Sequence, residues 1–340
     1  MLKKNKIYIV AEAGVNHNGK ISNALKLVNL AKKAGADAVK FQTWRTDEII
    51  LPKTKRPKYQ LKNSKDYDQY LFAKKLELKF AEFKKIKKHC DKLKIDFMST
   101  ADDLSSIRFL SKLQNIFKVG SAEIKNFQLI KEIIKLKKKI IISTGLSNLK
   151  DIKELILFLK KNNFNYKKKL ILMHCNTAYP TPFKDANLNV IPELKKKLGV
   201  KIGYSDHTLS VECAIAAAAL GAIIIEKHLT LNKKMKGPDH SSSLNIDEFK
   251  NMVSKIRNIE YSLGSKNKKI TQSAIQNKLL MERSIVASKD ILSGEKFSYK
   301  NITSKRPSGG IQPNKFFYLL SKKSKNIYKK NDLIKFSEIK

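Results

Sequence analysis

A pattern that occurs eight times limits the folds open to this chain more than any other feature: a short run rich in Ile, Val or Phe, then a helical stretch. The runs end in polar residues, and the stretches between them are amphipathic. Strands that are apolar along their whole length need cover on both faces, and alternating helices supply it, so the pattern predicts a parallel sheet. The runs are 7–14, 37–43, 95–101, 116–123, 139–145, 170–176, 201–207 and 222–230.

The number of units selects one α/β architecture. Eight strand–helix units within about 260 residues fit a (β/α)₈ TIM barrel, which takes roughly 250 residues. The rival is a doubly wound open sheet, but no Gly-x-Gly-x-x-Gly motif follows any of the runs. We therefore predict a TIM barrel over residues 1–265.

The residues after the eighth helix predict a linker and a second domain. The polar, turn-prone stretch that contains SKNKKITQSAIQNK predicts a linker over 266–282. Short alternating runs with turn signals predict a small β-rich domain over 283–340, which we expect to dock on a barrel because domains of roughly 60 residues are marginal. The Pro- and Tyr-containing segment 46–72 predicts a long loop over the barrel mouth.

The charge balance is strongly basic, with 70 Lys and Arg against 30 Asp and Glu and a net charge of +40. Such a charge attracts nucleic acids and membranes. Only six of these residues are Arg, which phosphate and base recognition favours, and the lysines are spread along helix-like segments. We expect no nucleic-acid partner, but steering of a negatively charged substrate.

The apolar segments and the cysteines predict a cytoplasmic protein. The longest apolar stretch, 214–225, is too short to cross a bilayer and contains Gly221. The N-terminus runs into a strand without a cleavage site, and the three cysteines show no CxxC spacing. We therefore expect reduced thiols and no membrane partner.

Polar side chains follow or end nearly every predicted strand. In a TIM barrel, the C-terminal strand ends line the active site. One such residue is usually a solvated loop residue or a helix cap, but seven or eight polar ends together favour a site. They include Glu12, Asn16, His17, Lys40, Gln42, Ser99, Thr100, Lys118, Ser121, Glu123, Ser143, Thr144, His174, Asn176, Tyr179, Ser205, Asp206, His207, Glu226, Lys227 and His228.

Two histidines and two lysines within this set suggest particular chemistry. His207 and His228 end neighbouring strands, and paired imidazoles suit a divalent metal such as Mn²⁺, Fe²⁺ or Zn²⁺, although a lone histidine is more often a hydrogen-bonded core residue. Lys40 and Lys118 lie in apolar strands and point into the barrel, where a lysine is rare unless paired. With Ser121, Ser143 and Ser205 they predict a phosphate cradle. The alternatives are a Schiff-base lysine or an ion pair with Glu12 or Glu123.

Motifs in order over nearly the whole chain carry a resemblance to a known family. They are AEAGVNHNG (11–19), VKFQT (39–43), ISTG (142–145), HCNTAYPTP (174–182), IGYSDHT (202–208), EKHLT (226–230), GPDH (237–240) and KRPSGG (305–310). The series resembles the bacterial sialic acid synthase family. The resemblance implies condensation of phosphoenolpyruvate with N-acetylmannosamine, or a related acetamido hexose, to a nonulosonic acid, with phosphate released by C–O cleavage. A synthase of legionaminic or pseudaminic acid is the alternative, and a Schiff-base barrel aldolase is a more remote one.

The resemblance also implies an architecture and a cofactor. It implies a TIM barrel followed by an antifreeze-like (SAF) domain, in a domain-swapped homodimer in which each SAF domain closes the partner's active site. It implies a divalent metal, Mn²⁺ first and Mg²⁺ or Co²⁺ as alternatives, that polarises the aldehyde of the open-chain sugar.

Site roles follow from the same resemblance, residue by residue. Phosphoenolpyruvate would be held by Lys40, Lys118, Ser121, Ser143, Asn176 and Ser205. The metal would be held by His207 and His228, with Glu12 and Glu123 as the carboxylates for general base work and sugar hydroxyls. The sugar would contact Gln42, Thr100, Tyr179, Asp239 and, from the other subunit, Arg306.

Three motifs depart from the family pattern. STADD (99–103) stands where many members have Pro-Phe after Ser-Thr, GSAE (120–123) replaces Gly-Ser-Gly-Glu, and KRPSGG (305–310) replaces a Gly-Asn-Gly turn. At Ala122 the Cβ would crowd the phosphate if this position requires a positive φ.

Overall fold

Eight parallel strands close into a barrel in the computed structural model, which describes residues 6–56 and 68–339. Each strand pairs with the next along the chain, and β1 pairs with β8. The strands are β1 (Tyr8–Gly14), β2 (Ala38–Thr43), β3 (Asp96–Ala101), β4 (Ile116–Val119), β5 (Lys139–Ser143), β6 (Leu170–His174), β7 (Lys201–Asp206) and β8 (Ile224–His228). The predicted (β/α)₈ barrel is confirmed.

Helices follow the strands and cover the barrel. Those of the first compact unit are α1 (Ile21–Lys33), α2 (Thr46–Ile49), α3 (Gln69–Leu76), α4 (Phe80–Leu93), α5 (Leu104–Leu110), α6 (Phe127–Lys135), α7 (Leu149–Lys161), α8 (Tyr166–Lys169), α9 (Val190–Leu198), α10 (Glu212–Ala219) and α11 (Ile246–Ser262). Helix α7 shows why they form: Asn148 and Asp151 make a capping box, and Ile152, Leu155 and Leu159 recur on one buried face.

The fourth predicted strand is shorter than its apolar run. Strand β4 ends at Val119, and Ser121–Glu123 form one 3₁₀ turn in which the Glu123 amide donates to the Gly120 carbonyl at 3.1 Å. The prediction of a strand to residue 123 is wrong because this local turn replaces ladder hydrogen bonds. It turns the chain across the barrel mouth.

The barrel core has two layers. Between the strands and the helices lies a large apolar cluster that includes Phe41, Phe117 and Phe249. A smaller cluster, which includes Tyr8, Met98, Met173 and Ile224, fills the N-terminal half of the barrel interior, and the Tyr8 hydroxyl donates to the Asp96 carboxylate there. The polar residues are thereby left to the C-terminal half.

The chain divides into two compact units, 1–264 and 265–340. The second contains α12 (Gln272–Met281), the antiparallel strands β9 (Ser284–Ala287) and β10 (Ile302–Lys305), and the short α13 (Phe316–Leu319). Its core includes Ile285, Phe297 and Ile334. It holds little regular β-structure beyond this pair.

The stretch predicted as a turn-prone linker, 266–282, contains the ten-residue helix α12. Its residues, QSAIQNKLLM, are mostly good helix formers, and none of its side chains is buried in the described chain. The helix propensity of these residues outweighed their polar composition, from which a turn-prone linker was predicted.

The loop predicted over the barrel mouth, 46–72, lies partly outside the described residues. Its first part forms α2 and its last residues begin α3, and Ile49, Ile50 and Gln69 line the cavity described below. Across the described ranges, we find no helix whose length and apolar character would allow it to traverse a bilayer.

Candidate active site

A cavity of about 750 Å³ opens at the C-terminal end of the barrel. Among the residues that line it are twelve of the fifteen for which the sequence predicted a role. These twelve are Glu12, Lys40, Gln42, Thr100, Lys118, Ser121, Glu123, Ser143, Tyr179, Ser205, His207 and His228. The other three, Asn176, Asp239 and Arg306, lie elsewhere and are described in turn.

Strand register brings the charged residues of the cavity together. Glu12 on β1 is level with Lys40 on β2 and with His228 on β8, and Ser205 is level with Glu226. Side chains alternate between the two faces of a strand, so these level positions all face the barrel interior. Charges from the first two and last two strands therefore meet above the apolar layer.

Four of these buried side chains form an ion cluster. The Lys40 ammonium lies 2.9 Å from Glu12 Oε2 and 3.6 Å from Glu226 Oε1, and Lys118 Nζ lies 3.5 Å from the same Glu226 oxygen. All four side chains are at most 6% exposed. Buried ions are tolerated when they are paired in this way. The two lysines retain further donor hydrogens for a ligand.

The sequence analysis left an ion pair with Glu12 or Glu123 as an alternative role for the two lysines. Both lysines do form ion pairs, but one of the partners was not predicted. Lys40 pairs with Glu12 as expected, but Lys118 pairs with Glu226 and not with Glu123. Glu123 instead accepts a hydrogen bond from Asn126 Nδ2 at 2.7 Å. The signal for Glu226 was a charged residue within the apolar run of β8, to which the sequence had assigned no role.

The cluster shifts the pKa values of its two carboxyl groups in opposite directions. Burial, and then repulsion from Glu226, raise the pKa of Glu12 against the attraction of Lys40. Burial also acts on Glu226, but the two ammonium groups of Lys118 and Lys40 hold its pKa below its usual value. When the environments of two neighbouring carboxyl groups separate their pKa values, one group can stay protonated while the other is ionised. Glu12 is therefore the group of the pair that holds a proton most readily.

The hydroxyl groups predicted for phosphate binding, and that of Thr100, predicted for the sugar, line the same cavity as the two lysines. Ser205 Oγ donates to Glu226 Oε1 at 3.1 Å, and Thr100 Oγ1 accepts from Lys40 at 3.4 Å. Ser121 Oγ accepts from the Gly145 amide at 3.0 Å. The φ angle of Ala122 is not positive. The expected crowding of the phosphate by the Ala122 Cβ depended on a positive φ, so it does not occur.

His207 is oriented by a backbone hydrogen bond. Its Nδ1 donates to the Asn176 carbonyl at 2.5 Å, which leaves Nε2, 3.4 Å from Ser205 Oγ, with its lone pair toward the cavity. Burial lowers the pKa of His207 to about 4, so the ring is neutral at pH 7. Asn176 acts here through its backbone, while its side-chain oxygen accepts from the Ala178 amide.

His228 lies beside His207, with ring centroids 5.5 Å apart. Its Nδ1 is buried without a hydrogen-bond partner among the described residues, and Asp239 Oδ2 lies 3.9 Å away. Burial, and then His207, lower the pKa of His228 well below its usual value. Tyr179 packs on His207 with ring centroids 4.2 Å apart.

The chemistry of the two imidazole rings is that of ligands for a divalent metal. Both imidazoles are neutral, one is oriented by a hydrogen bond to a carbonyl, and the other has an orphaned buried nitrogen. Throughout residues 6–56 and 68–339, no group of three or more His, Cys, Asp or Glu side chains forms a metal cluster. A divalent metal at this place would take His207 and His228 as its protein ligands, and water or substrate would have to supply the rest.

A second buried ion pair joins the ends of β7 and β8 on the outer face of the barrel. Lys227 Nζ donates to Asp206 Oδ2 at 2.7 Å and to the carbonyls of Thr208 and Ser210 at 2.6 and 2.8 Å, and neither partner of the ion pair is exposed. Each partner lies between two residues that face the cavity. The pair therefore fixes the strand ends that carry His207 and Glu226.

Arg306 belongs to the second compact unit. Its Nε donates to the Met281 carbonyl at 2.9 Å, and its side chain is exposed. This hydrogen bond ties the start of the KRPSGG turn to the C-terminal end of α12 within that unit.

The fold and the cavity define a TIM-barrel protein with a buried cluster of lysines and glutamates at the C-terminal strand ends. Comparison with known proteins narrows this class. The NeuB family model matches residues 27–268, and the chain belongs to that family. The resemblance to the sialic acid synthases is thereby confirmed.

Named relatives cover almost the whole chain. An N,N'-diacetyllegionaminic acid synthase of Campylobacter jejuni is 43% identical over 97% of this chain and 99% of its own. A pseudaminic acid synthase of Campylobacter jejuni is 35% identical over 98% and 97%. Among solved structures, the N-acetylneuraminic acid (sialic acid) synthetase of Leptospira borgpetersenii in complex with citrate is 30% identical, with a TM-score of 0.70 over 80% of this chain and 90% of that one.

Proposed function

We propose that this protein condenses phosphoenolpyruvate with an N-acylated hexosamine to give a nonulosonic acid and inorganic phosphate. The observation that carries the proposal is the pair of buried ammonium groups, Lys40 and Lys118, in one cavity at the C-terminal end of the barrel. The names of the relatives support it, since they are synthases of legionaminic, pseudaminic and sialic acids.

Phosphoenolpyruvate would bind by competing for the lysines. Its phosphate and carboxylate offer the ammonium groups anionic oxygens in place of those of Glu12 and Glu226. Ser121, Ser143 and Ser205 would donate hydroxyl hydrogens to the same oxygens. Asn176 belongs to this set by resemblance, although the structure uses its carbonyl to orient His207.

The reaction follows from the polarity of the two substrates. Carbon 3 of phosphoenolpyruvate attacks the aldehyde carbon of the open-chain sugar, and the aldehyde oxygen takes up a proton. Water then adds at carbon 2 and loses a proton, and the tetrahedral intermediate expels phosphate as the C–O bond breaks. Glu12, whose pKa is raised by burial, is the carboxyl group of the ion cluster best suited to hold and transfer a proton. Glu123, Gln42 and Tyr179 line the space left for the sugar.

His207 and His228 would hold a divalent metal, Mn²⁺ first, with Mg²⁺ and Co²⁺ as alternatives. When bound, the metal supplies Lewis acidity toward the aldehyde oxygen. Asp239, 3.9 Å from His228 Nδ1, is placed to orient that ring or a sugar hydroxyl. Chelation with EDTA should abolish turnover and Mn²⁺ should restore it, whereas full activity in EDTA would contradict the metal assignment.

The activity is tested by incubating the full chain with phosphoenolpyruvate, Mn²⁺ and each of a series of acetamido hexoses. We expect phosphate release in equal amount to a product whose mass is that of a nonulosonic acid. With ¹⁸O in the bridging position of phosphoenolpyruvate, the label should appear in phosphate, because the C–O bond breaks. Release of pyruvate, or inactivation by borohydride only when a carbonyl substrate is present, would favour the Schiff-base aldolase instead.

We further propose that residues 283–340 are an antifreeze-like (SAF) domain that completes the partner's site in a domain-swapped homodimer. The motif resemblance of residues 305–310 supports this, and Arg306 would contact the N-acyl group of the sugar bound by the other subunit. Exposure of Arg306 leaves its guanidinium open to such a contact.

Complementation between two impaired variants, assayed at a sugar concentration below the KM of Arg306→Ala, tests the shared site. Arg306→Ala should raise KM for the sugar far more than KM for phosphoenolpyruvate. Mixed with His207→Ala under verified subunit exchange, it should regain activity, because one of the two sites in a heterodimer combines both intact parts. An exchanged mixture that stays inactive would contradict the shared site.

A further inference from the structure

The loop that follows β8 brings Asp239 to His228. It leaves the barrel after His228 and returns at Leu244, whose amide donates to the His228 carbonyl at 2.9 Å and whose carbonyl accepts from the Thr230 amide at 3.0 Å. Between these points, Pro238 and Asp239 line a side cavity of about 200 Å³, which shares His228 with the main cavity of about 750 Å³ at the barrel mouth. The position of this loop therefore determines what lies beside His228.

The Asp239 carboxylate has no hydrogen bond that would hold it in place. Across residues 6–56 and 68–339, no donor lies within hydrogen-bond distance of this carboxylate, and its Oδ2 is 3.9 Å from His228 Nδ1. A side chain without such a bond takes its position from the backbone that carries it. The groups that hold the backbone at residue 239 therefore decide how close the carboxylate lies to His228.

His240, the next residue, fastens this backbone to the rest of the barrel. Its side chain is fully buried, its Nδ1 lies 2.6 Å from Thr230 Oγ1, and its Nε2 lies 3.1 Å from Asn18 Oδ1. Asn18 lies in the loop between β1 and α1. The His240 ring therefore joins the loops that follow the first and the last strand of the barrel.

Asn18 determines which ring nitrogen of His240 carries the proton. Asn18 Nδ2 donates to the Lys236 carbonyl at 2.9 Å, and since a carbonyl can only accept, the amide oxygen of Asn18 is the atom that faces the ring. His240 Nε2 must donate to that oxygen, so Nδ1 accepts the hydroxyl hydrogen of Thr230. The three side chains thus share one arrangement of hydrogens that satisfies each of them.

A second contact holds Asp239 through its own backbone. The Asp239 carbonyl accepts from Ser243 Oγ at 2.6 Å, and Ser243 Oγ accepts in turn from Asn16 Nδ2 at 2.9 Å. Asn16 and Ser243 are both buried. Asn16 and Asn18 belong to the same motif, AEAGVNHNG (11–19), so one loop holds the segment around Asp239 at two points.

Gly237 allows the two loops to approach each other this closely. A Cβ at residue 237 would lie 2.5 Å from His240 Cδ2 and 2.8 Å from Asn18 Oδ1, so any other residue would push these side chains apart. The glycine and the histidine of the GPDH motif (237–240) therefore serve the same contact, while the aspartate between them lies beside His228.

We propose that Asn16, Asn18, Thr230 and His240 form a loop anchor, a set of positioning residues that hold Asp239 beside His228 and touch no substrate. In the described chain, none of the four lines either of the two cavities. The proposal rests on the proposed function, in which Asp239 contacts the sugar or orients His228. Misplacement of such a group by about 1 Å can cost about 100-fold in rate.

The test measures kcat/KM for the sugar and KM for phosphoenolpyruvate, with Mn²⁺ and the acetamido hexose that the wild type uses best. Asn18→Gly removes both contacts of the side chain at a φ of 53°, which glycine adopts without strain, and should lower kcat/KM for the sugar by about 10- to 100-fold. Thr230→Val removes the hydroxyl and should lower it about tenfold, whereas Thr230→Ser should stay within about twofold. The KM for phosphoenolpyruvate should change by less than about twofold throughout.

Two comparisons separate a positioning role from a general loss of structure. In an Asp239→Asn background, Asn18→Gly should lower kcat/KM for the sugar by less than about threefold more, because the carboxylate that it positions is already gone. His89→Ala removes another contact between a histidine and an asparagine, the exposed one of 2.8 Å that joins α4 to Asn29 on α1. This control should leave both kinetic constants unchanged.

The arrangement of hydrogens is tested without any substrate. In ¹⁵N-histidine NMR spectra at pH 7, the His240 signal, identified by its loss in His240→Gln, should show a proton on Nε2 and none on Nδ1. A proton on Nδ1 would overturn the anchor.

Two kinetic results would also overturn the proposal. One is a loss from Asn18→Gly that is just as large in the Asp239→Asn background, and the other is a Thr230→Ser variant as slow as Thr230→Val. If Asn18→Gly does not fold, Thr230→Val in the same two backgrounds decides. If the wild type released phosphate with none of the sugars, the proposed function itself would fail, whereas the ¹⁵N spectra would still decide on the anchor.

Discussion

The two ends of the barrel are made of the same strands but carry opposite kinds of side chain. At the N-terminal end, the interior is filled by apolar residues such as Met173 and Ile224. At the C-terminal end, two lysines and two glutamates replace them within a few residues along the strands. The apolar end gains stability from burial, whereas the charged end bears a desolvation cost, which the proposed binding of an anionic substrate would explain.

The charged groups of the N-terminal end show the same division. Asp37 accepts hydrogen bonds from the Ile9 amide at 3.0 Å and from Arg257 Nη2 at 2.7 Å, near the surface. Lys138 donates to the carbonyls of Ser111 and Gln114, each at 2.6 Å. These pairs tie strands to helices and adjoin no part of the main cavity. The comparison teaches that charges at a barrel end need not serve the fold: those of the N-terminal end tie elements together, whereas we propose that Lys40 and Lys118 at the other end bind the substrate.

The largest effect on stability is expected at the buried ion pair of Lys227 and Asp206, which lies at the charged end but holds the strand ends together. Lys227→Met would leave the carboxylate of Asp206 buried without its partner, which should lower the free energy of unfolding by about 3–5 kcal/mol. Chemical unfolding measures this loss. The double variant with Asp206→Asn should recover part of it, and strictly additive losses would show that the two side chains do not act as a pair.

The next effect concerns the lysine assigned to the phosphate. Lys118→Met removes a charge that contacts a dianion, so we expect kcat/KM for phosphoenolpyruvate to fall by about 100- to 1,000-fold, chiefly through KM. The KM for the sugar should change far less. The melting temperature should stay close to that of the wild type, because Lys40 remains 3.6 Å from Glu226 as its counter-ion.

Lys138→Met is the matched change at the other end. It removes hydrogen bonds from a charged donor to two carbonyls, so the free energy of unfolding should fall by about 1–3 kcal/mol. Steady-state kinetics of the folded variant should equal those of the wild type. A loss of activity here, or of stability in Lys118→Met, would break the comparison between the two ends.

A smaller effect depends on pH. Burial opposes ionisation of Asp37, but hydrogen bonds from Ile9 and Lys6 and the contact with Arg257 prevail and lower its pKa. The stability it contributes is therefore present above its unfolded pKa of about 3.9 and is lost as pH falls through the folded value. Asp37→Asn should lower the free energy of unfolding by about 1–2 kcal/mol at pH 7. The difference from the wild type should shrink as the pH falls below about 4, which urea unfolding curves at a series of pH values would measure. A constant difference down to pH 2 would contradict this.

Much of this arrangement could be predicted from the sequence, because periodicity reports directly on strands and helices. The strand ends and the motif resemblance together predicted roles for twelve of the residues that line the main cavity. Glu226 was not given its role as partner of Lys118, since β4 and β8 lie on opposite sides of the barrel and strand order predicts only neighbours. Contacts across the barrel depend on side-chain length and direction, which no pattern of apolar residues encodes.

Other differences have local causes. Helix α12 formed where polar composition predicted a linker, because composition says little about propensity in a short exposed segment. Asp102 was recognised only as part of a departure from a motif, but it lines the main cavity, because the end of β3 meets strand ends that lie far from it in sequence.

Binding of phosphoenolpyruvate alone tests most directly the central claim that the charged barrel end binds the anion. Thermal unfolding of the wild type, Lys118→Met and Lys138→Met is measured with increasing phosphoenolpyruvate, because a ligand that binds only the folded state raises the melting temperature. We predict a clear rise for the wild type and for Lys138→Met, and a rise at least several-fold smaller for Lys118→Met. Equal rises in all three proteins would contradict the account.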